Sequence, residues 1–378
     1  MDSKRPTSLI EHFSVLVDVR DEDKRLHKLI DIIIIAVVAV ICGADEWTSI
    51  EKFGKAKEDW FRKFLELENG IPSHDTFGRV FSLLSPRAFE ERFRQWVQSV
   101  GEIHEEQVIA IDGKTLRRSH DRKSGKAAIH MVSAWATANR VVLGQRATEA
   151  KSNEITAIPE LLDTLLLHGC IVTIDAMGCQ KKIARKIVDQ GGEYLLALKG
   201  NQSILADEVE EAFIDADARD YEGMETDFYE TAERGHGRTE MRRYWTLTDL
   251  DGLGQSAQWV GLDMIGMVES QREQDGKTST EHRFYIGSIG KDARRFAKAA
   301  RAHWGVENDL HWSLAVSFRE DESRVRDRNA AENFAVLRHI ALGLLKNEKT
   351  AKVGIKTKRL MAGWDESYLA KLLFQQAG

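Results

Sequence analysis

The chain is poor in several things, and each shortage excludes a class of protein. Four prolines in 378 residues rule out a proline-rich or collagen-like chain. The three cysteines, Cys42, Cys170 and Cys179, are an odd number without a C-x-x-C pair. That excludes a disulfide framework and a zinc ribbon, and fits a reducing cytoplasm. No apolar run approaches the roughly 20 residues a bilayer span needs. The longest, IIIIAVVAVIC at 32–42, follows Asp31 and is closed by Gly43, Asp45 and Glu46, so it reads as a buried core helix and no membrane partner is expected. Excess positive charge is absent too: 54 Lys and Arg face 60 Asp and Glu, a net −6. Any contact with nucleic acid must rest on a local basic surface. The opening MDSKRPTS has no apolar h-region and is not a secretory signal.

What is present describes an ordinary globular protein. Hydrophobic residues at 42% and charged residues at 30% suit two or three domains with a sizeable core. Up to about residue 100 the apolar residues recur at helical spacing, as in Trp60, Phe61, Phe64, Leu65 and Phe89, Phe93, Trp96, Val97. Between them GIPSHDTFGRV (70–80) breaks one helix at Pro72 and offers Ser73 or Asp75 as the next N-cap. This helix-turn-helix-like corner either packs helices or enters a DNA groove. Residues 101–107 are polar and form a linker.

From residue 108 the period changes to that of strands. VIAIDGKT (108–115) runs from β-branched residues into Asp112; IHMVSAWA (129–136) and RVVLGQRA (140–147) make a hairpin across TAN. A helix at 155–167 tolerates Pro159 near its start, a strand at 171–174 ends in Asp175, and a helix at 180–190 precedes a strand at 194–198. The order βββαβαβ is that of a ribonuclease H-like mixed sheet with flanking helices. In such a sheet the first and fourth strands are neighbours, so Asp112 and Asp175 meet where open α/β sheets place their sites. Two close carboxylates repel unless cations neutralise them, and oxygen ligands suit magnesium or manganese. A strand-end aspartate also serves as a turn cap, but the joint pattern with a downstream acid, Glu307 in RAHWGVENDLHW (301–312), favours a metal site.

The residues now point to a family. IDGKTLRRS (111–119), KSNEITAIPELL (151–162), IDAMGCQKKIA (174–184), LLALKGNQ (195–202) and HWGVENDLHWSL (303–314), with GIPSHDT (70–76), resemble the H-repeat-associated transposases, DDE insertion-sequence enzymes often found beside Rhs elements. The resemblance implies a helical transposase-associated domain over 1–100 and a ribonuclease H-like catalytic domain over 106–378, with a β-rich insertion at about 206–290. It implies DNA cleavage and rejoining at insertion-sequence ends by two-metal-ion phosphoryl transfer. Asp112, Asp175 and Glu307 would be the catalytic and metal-binding acids for two Mg2+ or Mn2+ ions. The partners would be double-stranded DNA with terminal inverted repeats and a second copy in a homodimeric synaptic complex. The place would be the bacterial cytoplasm, on the nucleoid when bound to DNA.

The third acid has two readings. Related enzymes carry an Arg, three residues, then the Glu, which puts His303 in the Arg position and Glu307 in the Glu position. The family has an aspartate where this chain has Ala315, and Glu307, His311 and Ala315 share one helical face at four-residue spacing. Either Glu307 is the ligand, or Ala315 marks an inactivated DNA-binding relative. A ribonuclease H-like nuclease such as a resolvase is the alternative enzyme.

Within the insertion, strands are expected at 227–231, 240–247, 259–268 and 281–289 after an acidic helix at 206–217. ERGHGR (233–238) offers His236 and Arg238 to DNA, or is a plain tight turn. Lys114, Arg117, Arg118, Lys199, Arg324 and Arg326 are expected to bind DNA, together with His303 and His311 and alongside Arg122, Lys123, Lys126 and Arg328. Trp304 and Trp312 read as core. Residues 329–345 carry the apolar stripe Phe334, Leu337, Ile340, Ala341 and Leu344, and 346–358 read as a basic, mobile segment.

Overall fold

Ten apolar residues follow Asp31, and in the computed structural model they form a helix in which every residue from Asp31 to Ile41 is buried. Among the described residues no helix is long and apolar enough to cross a membrane. The structure describes residues 8–100, 105–120, 127–148, 153–235 and 238–374. In chain order, six helices come first: α1 (Leu9–Phe13), α2 (Leu29–Ile41), α3 (Trp47–Ala56), α4 (Glu58–Phe61), α5 (His74–Leu83) and α6 (Pro86–Val100). Strands β1 (Val108–Thr115), β2 (His130–Ala136) and β3 (Val141–Thr148) follow, then α7 (Glu154–Leu162), β4 (Ile171–Ile174), α8 (Lys181–Asp189), β5 (Glu193–Leu198) and α9 (Ser203–Ala218). Four longer strands, β6 (Thr226–Gly235), β7 (Arg238–Leu247), β8 (Met264–Gln274) and β9 (Lys277–Gly287), lead to α10 (Ala293–Gly305), α11 (Arg328–Asn347), α12 (Ile355–Trp364) and α13 (Glu366–Phe374). The fold is mixed α/β, and the expected βββαβαβ order is present.

The chain forms two compact units: Met1–Ile103, Gly113–Asn153 and Glu307–Gly378 make the first, His104–Asp112 and Glu154–Val306 the second. These units cut across the boundary expected near residue 100. The reason is α11, which is apolar on nearly all sides and buried from Asn333 to Leu345. It packs with α2, α5, α6 and β3, so the N-terminal helices share its core. Trp47 stacks on Phe81 at 5.1 Å and meets Phe334 edge-on at 4.8 Å. Asn333 Nδ2 donates to Phe81 O at 2.8 Å and Leu84 O at 2.9 Å, satisfying carbonyls that the end of α5 leaves open. Arg359 of α12 donates to Val40 O at 2.7 Å and pairs with Asp45, closing the end of α2 in the same way. Of the helix-turn-helix-like corner the cap is built as read, since Ser73 caps α5 through Thr76 N and Glu51 accepts from His74 N at 2.8 Å, but Pro72 breaks no helix, because α4 already ends at Phe61. The segment expected to be basic and mobile is instead tied down, since Lys358 is buried and donates to Leu345 O in the last turn of α11 and to Glu348 O just past its end.

In the second unit β1 pairs parallel with β4, β4 parallel with β5, and β5 antiparallel with β9, after which β8, β7 and β6 extend the sheet. Val108–Ile111 and all of β4 are buried, as parallel strands covered on both faces must be. The insertion is thus a meander that continues the sheet. Its β8–β9 turn is Asp275–Gly276 with φ of +53° and +72°, the left-handed pair that a two-residue hairpin requires. In the first unit β2 and β3 form their antiparallel hairpin, and Thr115 at the end of β1 meets His130 at the start of β2 (2.9 Å).

Candidate active site

Ile111 and Ile174 are paired across β1 and β4, and the next residue in each strand direction is an aspartate. Register-equivalent side chains of parallel neighbours project from the same face, roughly 4.8 Å apart. Asp112 and Asp175 are therefore brought together, and both are half-buried. Asp175 is also a cap: Oδ1 accepts from Met177 N at 3.1 Å and Gly178 N at 3.3 Å. Both bonds fall on that one oxygen. The turn they close is fastened by the GNQ string after β5, where Asn201 donates to Ala176 O at 2.6 Å and Gln202 to Cys179 O at 2.9 Å. The sequence reading gave these amides no role, although their place after a strand end was a usable signal.

His303 lies on α10 with Nδ1 3.1 Å from Thr173 Oγ1 of β4. Burial pushes its imidazole below the usual range, against the opposing pull of the Asp175 carboxylate. It is uncharged at neutral pH and supports β4, which does not suit the phosphate-binding role expected of it. Lys199 is exposed at the end of β5.

After Gly305 the helix changes type: Val306–His311 and Ser313–Ser317 are wound as π-helix. Such turns close between i and i+5 and are often found at functional sites. Glu307 is exposed, and His311 and Ala315 are half-buried. The tryptophans correct the core reading. Trp304 is half-buried under the Arg283 guanidinium, 4.3 Å from its ring, while Trp312 is 57% exposed.

Lys114 also departs from expectation. Its Nζ donates to Glu320 Oε2 at 2.6 Å and lies 3.4 Å from Asp321. Glu320 is buried, with Arg338 3.6 Å away on its other oxygen. Burial would raise this carboxyl, yet Lys114 and Arg338 hold it below the usual range. Lys114 is thus committed to an internal ion pair rather than to DNA. The signal missed was Arg338 itself, a charge inside an apolar helix stripe, which requires a buried partner. Arg117, Arg118, Arg324 and Arg326 are exposed, and Arg238 is exposed 3.9 Å from Glu240. His236, Arg122, Lys123 and Lys126 lie outside the described residues. Among the described residues no three His, Cys, Asp or Glu side chains are grouped closely enough to hold a metal ion.

An α/β protein with paired strand-end aspartates belongs to a class that sequence comparison defines. The transposase DDE domain matches residues 103–344, and the DDE_Tnp_1-associated family matches residues 10–97. The chain belongs to the DDE transposases, and within them to the H-repeat-associated group. It is 44% identical to the H repeat-associated putative transposase YhhI of Escherichia coli strain K12 over 370 residues, 97% of each chain. It is 45% identical to the putative transposase YncI of Escherichia coli O157:H7, covering 97% of this chain and 94% of that one. The cryo-EM structure of a piggyBac transposase synaptic complex with hairpin DNA superimposes at a TM-score of 0.41 and 10% identity, over 97% of this chain and 78% of that chain, a likeness too slight to define the fold.

Proposed function

We propose that this transposase cuts and rejoins DNA at the inverted-repeat ends of its insertion sequence, using Asp112, Asp175 and Glu307 on a ribonuclease H-like core. The carrying observation is the register that sets Asp112 beside Asp175 at the ends of paired parallel strands. Strand order supports the core: in the second unit β1, β4 and β5 run parallel side by side, as in a ribonuclease H-like sheet. The donor set fits hard divalent cations, because both aspartates offer carboxylate oxygens and the cap bonds of Asp175 occupy only Oδ1. When bound, two magnesium or manganese ions would activate water or a 3′-hydroxyl and neutralise charge at phosphorus. Asp112 and Asp175 would hold them, with Glu307 as third acid. His303 keeps β4 in place through Thr173, and Arg117, Arg118, Lys199, Arg324 and Arg326 grip the DNA backbone. A second copy completes the synaptic complex, in the bacterial cytoplasm.

Asp112→Asn or Asp175→Asn should abolish magnesium- or manganese-dependent nicking of duplex DNA while leaving DNA affinity close to that of the parent, because an amide cannot hold the cations. Full nicking by either variant would defeat the assignment. A second reading has its own observation: with no three-acid group among the described residues and alanine at 315, the chain would be an inactive DNA-binding relative. Ala315→Asp decides between them. If Glu307 is the ligand, the parent chain cleaves, Glu307→Gln does not, and Ala315→Asp changes the rate only modestly. A chain that cleaves only after Ala315→Asp places the third ligand at 315.

A further inference from the structure

β6 is the outermost strand of the second unit, and among the described residues only β7 pairs with it. An outermost strand presents a row of unpaired N–H and C=O groups, which proteins close with a lysine, a proline, a bulge or a covering side chain. β3 of the first unit is closed in the last way, since Gln145 N donates to Glu90 of α6 at 3.4 Å. β6 has none of these devices. Its ten residues, TDFYETAERG, include neither lysine nor proline, and its register with β7 runs unbroken from Thr226 to Gly235. Among the described residues no side chain hydrogen-bonds to its backbone.

Charge also keeps a second strand away from such an edge, but the acids of β6 are already engaged. Asp227 accepts from Ala293 N at 2.9 Å, Glu230 pairs with Arg243 at 2.8 Å, and Glu233 pairs with Arg301 at 2.9 Å. Arg234 is exposed and has no partner among the described residues. Along the strand Asp227, Tyr229, Thr231 and Glu233 share one face, while Phe228, Glu230, Ala232 and Arg234 share the other.

The occupant that fits is a second copy of the same strand, because the sequence of β6 complements itself. Two β6 strands laid antiparallel about a two-fold axis at Ala232 bring Glu230 opposite Arg234 of the second copy, and Arg234 opposite its Glu230. With α10 on the same side of both copies, this is the one centring that opposes unlike charges. Centring on Glu230, Glu233 or Arg234 would set like charges face to face, which is unfavourable. The side chain at the axis, Ala232, is small and exposed, and a lysine-free strand suits a self-association surface.

We propose that β6 is a self-association edge, through which two copies of the chain join by antiparallel β6–β6 pairing centred on Ala232. This goes beyond the proposed reaction: the contact needs neither DNA nor metal, so a chain that fails to nick can still form it.

Sedimentation of the full chain without DNA or metal reads the association directly. The parent should be a dimer. Glu230→Arg and Arg234→Glu should each raise the dissociation constant about tenfold or more, because each sets two like-charge pairs across the contact. An equimolar mixture of the two variants should recover the parental affinity, since the arginine introduced at 230 then meets the glutamate introduced at 234, and the native Arg234 of the first meets the native Glu230 of the second. Ala232→Cys should be captured as a covalent dimer by a short thiol cross-linker under conditions that leave the parent uncaptured, since Cys170 and Cys179 are buried. A parent that stays monomeric overturns the proposal. So does a dimer that neither charge reversal weakens, a loss that mixing does not repair between variants that melt with the parent, or a failure of Ala232→Cys to cross-link. Should a charge reversal melt below the parent, the cross-link at 232 decides alone.

Discussion

Lys114 stands two residues after Asp112, where a basic side chain invites a phosphate, yet the fold turns it inward to Glu320. Removing one partner of a buried ion pair leaves the other charge uncompensated, at about 3–5 kcal/mol. Lys114→Met should therefore lower the urea unfolding free energy, by less than that because Arg338 still faces Glu320, and adding Glu320→Gln should deepen the loss, since it leaves Arg338 buried without its carboxylate. A loss below about 0.5 kcal/mol, typical of a surface change, would return Lys114 to the DNA. The two following arginines behave differently. Leu116 and Ser119 are buried, with Leu116 N donating to Ile129 O and Ser119 Oγ accepting from Ile129 N. That leaves Arg117 and Arg118 outward, the former 75% exposed and only 3.8 Å from Asp321, a pairing worth little. Changing both to alanine should weaken binding across all duplex sequences and flatten the log-log salt dependence by about two units of slope. An unchanged slope would mean that this turn is merely solvated.

Among the elements, the strands were the most legible and the helix after β9 the least. The apolar run of β4 and the Ser73 cap of α5 are local signals, and each appears where the sequence places it. α7 ends at Leu162 although the apolar pattern runs on to Leu167, since Leu165 and Leu167 are buried from a loop rather than from a helix. The segment after Gly305 reads as an ordinary helix because a π-turn has no signature in residue spacing. Its consequence is the exposure of Trp312, which helical spacing from Trp304 had assigned to the core. Glu307 is exposed at the head of that segment.

For the molecule as a whole, the density of charge buried around α11 sets a pH limit. His339 is buried there, and desolvation, only partly offset by Glu320, lowers its imidazole to about 4, with His311, Arg338 and Lys114 adding to the depression. An unfolded histidine titrates near 6.5, so between about 6.5 and about 4 the unfolded chain binds the extra proton. Stability is then fully present above about pH 6.5 and falls as the pH drops through that window. The unfolding midpoint should decline from pH 6.5 toward 4.5, before the ordinary carboxylates titrate, and His339→Gln should flatten that limb. A midpoint in the parent that is level over this range would show that His339 protonates without cost.

The sequence by itself determined the elements that local chemistry dictates: the buried helix α2, the order βββαβαβ, the acids at the strand ends and the motif strings that mark the transposase family. Periodicity, caps and turn residues act over a few positions, so they are written in the chain. Only the tertiary structure decided what depends on distant partners. It set Asp112 beside Asp175 through strand register, turned Lys114 toward Glu320 and Arg338, drew the N-terminal helices into one core with α11, and unwound the helix of Glu307 to leave Trp312 in solvent. A charge goes inward or outward according to what lies across from it, and that neighbour stands 206 residues away for Lys114.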